Sequence, residues 1–73
     1  MAKKASGTVY RVTEVIGTSS SSWEDAARSA VKTAAGTLRD LRIAEIEKLD
    51  VKVESGKVTQ FRARLKLSFK YGG

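Results

Sequence analysis

"VKVESGKVTQFRARLKLSFK", residues 51–70, decides the fold. Its second half alternates without a break. Phe61, Ala63, Leu65, Leu67 and Phe69 fall on one face, and Gln60, Arg62, Arg64, Lys66 and Lys70 on the other. Successive side chains of a strand point to opposite sides, so this period of two predicts a strand with one apolar face and one wet face. The run before it also alternates, with Leu49, Val51 and Val53 one way and Lys48, Asp50, Lys52 and Glu54 the other. Between the two lies Glu54-Ser55-Gly56-Lys57, a turn signal, and the whole reads as an antiparallel hairpin.

Upstream the period changes. Trp23, Ala26, Ala27, Ala30, Val31, Ala34, Leu38 and Leu41 recur at spacings of three and four, which predicts one apolar stripe on a helix of about five turns. The stripe is mostly alanine, so the helix can lie close to a sheet, while Arg28, Lys32 and Arg39 fall off it toward solvent. Gly36 weakens the helix locally by up to about 1 kcal/mol relative to alanine. Ser21 and Glu24 have the spacing of a capping box, so the helix is expected to start near Ser21 or Ser22, with Glu24 and Asp25 in its positive first turn. "TVYRVTEVIG", Thr8–Gly17, is rich in β-branched residues and ends at a glycine, which reads as a further strand. Residues 1–7, small and basic without periodicity, are expected to form a flexible arm ahead of a single domain over 8–71. The element order is strand, helix, strand, strand: an α+β chain in which a three-stranded antiparallel sheet wraps one helix.

Composition narrows the chemistry. The 73 residues include no Cys, His or Pro, and 14 Lys and Arg stand against 8 Asp and Glu, a net charge of +6. A chain of this size buries only about 60% of the surface its unfolded form exposes, so a lone monomer is marginal without staples. Disulfides and the usual zinc ligands are absent, which leaves association with other copies as the source of the missing stability. Without His or Cys the chain also lacks the commonest general base and the best side-chain nucleophile, so an enzyme is not expected. No apolar run approaches the roughly 18–20 residues needed to span a bilayer, and Met1-Ala2-Lys3-Lys4 is not followed by a signal-peptide core. No membrane partner and a cytoplasmic location are the expectation.

Candidate binding features are few. The row Arg62, Arg64, Lys66 and Lys70 could meet phosphates, but no aromatic residue interleaves with it as single-strand binders require. It reads as a solvated face that discourages edge pairing, with Glu45, Glu47, Asp50 and Glu54 available as partners, and nucleic acid is not an expected ligand. Trp23, on the apolar stripe, reads as a core or interface residue. "GTSSSS" lacks the second Gly and the Lys of a phosphate loop, and a helix cap accounts for its serines. Carboxylates at Glu45, Glu47 and Asp50 have the oxygen chemistry for a hard cation. Calcium takes six to eight oxygens, so one chain would need a symmetry axis or many waters to hold it.

Taken together, "VIGTS", the helix start "SWEDAA" and the closing strand "LKLSFK" resemble the dodecins, with the likeness running from about Val9 to Tyr71. The resemblance implies a β-α-β-β fold and a homododecameric hollow sphere. It also implies a small-ligand binding or storage role. In flavin-binding dodecins the segment after the helix carries a Trp that stacks on the isoalloxazine ring, and the last strand carries a Gln that hydrogen-bonds it. Here Ile43 and Arg62 stand at those places, with Ala44 and Glu45 beside Ile43 in the same pocket. A base–aromatic stack is worth about 1–3 kcal/mol, so its loss costs roughly tenfold or more in affinity, and flavin is not expected to bind tightly. The aliphatic residue at the stacking position, with "SWE" at the helix start, is similar to the calcium-dodecin branch, for which calcium binding or storage is proposed. Ca²⁺ is thus the cation to consider, with Glu45, Glu47 and Asp50 the metal candidates on chemistry alone. A cage without a tight ligand, natural or engineered, and a flavin-binding dodecin with an altered pocket remain the alternatives.

Overall fold

In the computed structural model, residues 9–70 are described. The expected arm over residues 1–7, and the ends of the expected domain at Thr8 and Tyr71, lie outside them. The chain runs β1 (Tyr10–Ser19), α1 (Trp23–Ala35), β2 (Leu41–Glu54) and β3 (Lys57–Lys70). One antiparallel sheet forms in the order β1-β3-β2, so the last strand lies in the centre. The hairpin joining β2 to β3 turns at Ser55 and Gly56, with φ of 52° and 74°. Two successive positive φ values are the mark of the tight turn whose twist matches that of its strands.

The core follows the alternation of β3. Ala63, Leu65 and Leu67 are buried beneath Ala26, Ala30 and Ala34 of the helix; Phe69, further along β3, is also buried, with the Arg11 guanidinium over its ring. Three alanines in line allow the helix to come down onto the backbone of β1. At Gly17 an added Cβ would collide with the Ala26 carbonyl oxygen and lie 2.8 Å from Ala30 Cβ. The glycine therefore marks closest approach, and β1 runs two residues beyond it instead of stopping there.

The serines build the helix start. Ser22 is the N-cap, its hydroxyl accepting from Asp25 N–H at 3.0 Å, so the capping pair is Ser22 and Asp25, one residue on from the expected Ser21 and Glu24. Ser19 Oγ accepts from Ser21 N–H at 2.9 Å and donates to Asp25 Oδ2 at 2.7 Å. The helix is shorter than the stripe suggested. It ends at Ala35 after 13 residues. Thr37 and Leu38 N–H and the Thr37 hydroxyl all turn back to the Ala34 carbonyl, and Asp40 takes φ of 56° to start β2. Leu38 and Leu41 still pack against the core, but from the connection and from β2.

The helix covers β1 and β3 and barely touches β2. Ile46, Leu49 and Val53 on the helix side of β2 consequently stay about half exposed, at 52%, 49% and 57%. The radius of gyration, 15.7 Å, exceeds the roughly 11 Å of a compact domain of this length. Among the described residues no helix is long and apolar enough to cross a membrane.

Candidate functional site

The sheet face turned away from the helix is assembled by register. Central β3 brings residues of the two edge strands into rows: Val12–Ser68–Ile43, Glu14–Lys66–Glu45, Ile16–Arg64–Lys48 and Thr18–Arg62–Asp50. Two register shifts in β2 set these rows, each leaving one residue without its own partner on β3: Arg42 in the first and Glu47 in the second. The second bulge lets Ile46 and Leu49, three residues apart, share the helix-side face.

Two ion pairs cross this face between β2 and β3. The Arg62 fork meets the Asp50 carboxylate with both arms, Nε to Oδ1 at 2.7 Å and Nη2 to Oδ2 at 2.9 Å. Lys66 Nζ meets Glu47 Oε2 at 2.9 Å. Hydrogen bonding from Arg62 holds the Asp50 carboxyl below its ordinary range. Hydrogen bonding from Lys66, with Glu14 the next contributor, does the same for Glu47. Arg62 and Lys66 are raised in return by those same carboxylates. The expected pairing of the basic row with carboxylates of β2 is thus realised at two positions.

The predicted pocket residues separate within one chain. Ile43, Glu45 and Arg62 lie on the face away from the helix, whereas Ala44 points the other way, into a groove of about 320 Å³ with Ala27, Val31, Ile46 and Leu65. Ile43 pairs with Ser68, six residues along β3 from Arg62, a separation of roughly 20 Å at strand rise. A pocket using both Ile43 and Arg62 must take them from different copies.

The metal candidates also fail to converge in one chain. Among the described residues no group of three or more carboxylates is placed to hold a metal ion, and Glu47 and Asp50 already face Lys66 and Arg62. One chain does not fit calcium. Trp23 is half-exposed on the helix side, its Nε1–H donating to the Asp50 carbonyl at 3.0 Å and its ring meeting Phe61 edge-on at 5.2 Å. It fastens the start of the helix to the hairpin. Lys48, opposite Arg64 across the second bulge, was not legible as a partner of that arginine, because nothing in the composition around Glu47 signals a bulge.

The dodecin family model matches residues 9–72. The chain belongs to the dodecin family. It is 46% identical over 63 residues to calcium dodecin of Mycobacterium tuberculosis, covering 85% of this chain and 87% of that one. The structure of dodecin from Streptomyces coelicolor superimposes with a TM-score of 0.86 at 39% identity, covering 94% of this dodecin and 99% of the other. The crystal structure of the M. tuberculosis calcium dodecin, a calcium-chelating antigen with a calcium-binding site, gives a TM-score of 0.77 at 44% identity over 86% and 90% of the two chains. The β-α-β-β fold of this dodecin is thereby established.

Proposed function

We propose that this dodecin is a homododecameric small-ligand binding and storage protein of the cytoplasm, without enzymatic activity, that favours calcium over flavin. The 46% identity to a calcium dodecin carries the reading. Ile43 supports it, because an aliphatic side chain offers no π face to a flavin ring. The half-exposed Ile46, Leu49 and Val53 support assembly, since a contiguous apolar surface of this kind on a small chain calls for a partner. Calcium would be held between copies, with Glu45, Glu47 and Asp50 contributed from more than one chain, and Ile43, Ala44, Glu45 and Arg62 would line what was the flavin pocket.

The test is a pair of titrations on protein whose mass is fixed by light scattering. Millimolar Ca²⁺ is expected to raise the melting temperature while Mg²⁺ leaves it unchanged, as preferential binding to the folded assembly requires. Flavin fluorescence is expected to stay unquenched. Strong quenching by a twelve-chain species, with no response to Ca²⁺, would replace this reading with that of a flavin dodecin.

A further inference from the structure

The row Ile16–Arg64–Lys48 differs from its neighbours. Above it, Lys66 is met by Glu47, and below it, Arg62 is met by Asp50. In the row itself two cations stand opposite each other, with an isoleucine on the third strand. Neither Arg64 nor Lys48 makes an ion pair or side-chain hydrogen bond among the described residues. Like charges directly across a ladder are destabilising, so the arrangement costs the sheet something.

The second bulge in β2 creates this arrangement. Strict pairing would bring Glu47 opposite Arg64, because Ile46 faces Leu65. The bulge instead sends the Glu47 carboxylate to Lys66 and sets Lys48 against Arg64. The carboxylate that strict pairing would bring against the arginine is held on the next row, so Arg64 feels Glu47 and Asp50 only through space and makes contact with neither. Bulges re-aim side chains in this way where a site requires it. Arg64 is half-buried and Lys48 exposed, so both heads can reach a ligand lying on the sheet.

We infer that Arg64 and Lys48 form an oxyanion site on the face away from the helix, taking a phosphoryl group. Residues directly opposite in a ladder have Cβ atoms about 4.5–5.5 Å apart, close enough for two cationic side chains to converge on one tetrahedral anion. The planar guanidinium supplies a two-armed contact, and the ammonium adds a point charge. Exposed Ile16, next in the row, would carry an organic substituent if the phosphoryl group bears one. The site is independent of the calcium reading, since it uses the row's cations and none of its carboxylates.

The experiment uses the assembled protein in calcium-free buffer at constant ionic strength, with inorganic phosphate and glycerol phosphate titrated separately and binding read by calorimetry. Saturable binding is expected, weakened at least about tenfold by Arg64→Gln and by Lys48→Gln, and only partly by Arg64→Lys, which keeps the charge but loses the fork. Lys57→Gln, an equal charge change at the hairpin, should leave it unaltered. Lys48 lies on an exposed edge strand, so its variant tests the site even if Arg64→Gln does not fold. Tighter binding of glycerol phosphate identifies a phosphate ester as the ligand, and equal binding identifies free phosphate. Absence of saturable binding in the wild type, or equal weakening by Lys57→Gln, overturns the site. So does loss of assembly in Lys48→Gln without any phosphate response in the wild type, because the cations would then be meeting carboxylates of a neighbouring chain.

Discussion

β1 and β2 are both edge strands of one sheet paired to the same central β3, yet they live in different surroundings. β1 has the helix pressed onto its backbone at Gly17, and its inward face is closed by three alanines. β2 carries comparable apolar side chains, Ile46, Leu49 and Val53, which the described residues of the chain leave about half exposed. The difference separates two sources of stability. The β1–α1–β3 side is closed by contacts that a single chain supplies, and the β2 side has few such contacts among the described residues.

The comparison is broken most severely by Leu65→Ala, which removes a fully buried side chain from beneath the helix. A loss of about 3 kcal/mol is expected in denaturant unfolding. Leu49→Ala on β2 should behave otherwise, with a loss that depends on protein concentration and is read as a shift in the assembly equilibrium by light scattering. Equal, concentration-independent losses would erase the distinction. Gly17→Ala sharpens it from the β1 side. The added methyl must push the helix off the strand, and a loss of about 2 kcal/mol is expected, again independent of concentration.

The smallest effect concerns the exposed ion pairs. Asp50 and Glu47 have folded pKa values below their unfolded ones, so their contribution is complete above the ordinary carboxylate range and is lost as pH falls through the folded values. Melting temperature should therefore drop as pH falls below the ordinary carboxylate range, less steeply in Asp50→Asn, and less steeply in both at high salt. An unchanged acid limb in the variant would show that the Arg62–Asp50 fork is stabilising neither strand.

Most of the fold was legible because its strongest signal is local. The alternation of Phe61 to Phe69 and the Ser55-Gly56 turn each report a backbone geometry directly, and both appear where the periodicity put them. The helix end was misjudged because Leu38 and Leu41 continue the apolar spacing although Asp40 has already left the helix. Apolar spacing records what touches the core, and a connection can touch it as well as a helix. The candidate site was legible in its residue types and less so in their placement. Ile43 and Ala44 are neighbours in sequence and point to opposite sides of the sheet, while the bulge at Glu47 changes which β2 residue meets Arg64. Both outcomes depend on register, which strand patterning constrains only up to such a one-residue shift.

The placement of β3 between the other two strands has a consequence in time. Every strand pairing in the sheet includes β3, and of the three strands it is the last to be synthesised. As the chain leaves the ribosome, β1, the helix and β2 emerge with no native strand partner, and the apolar faces of both future edges are open to whatever is near. The hairpin with β2 needs only a two-residue loop to close, whereas β1 pairs on the far side of the same strand across the whole length of the helix and β2, so loop closure favours the hairpin as the first pairing to form. The sheet therefore forms only after synthesis has passed β3, and the interval before that is when this chain is most exposed to the wrong neighbour.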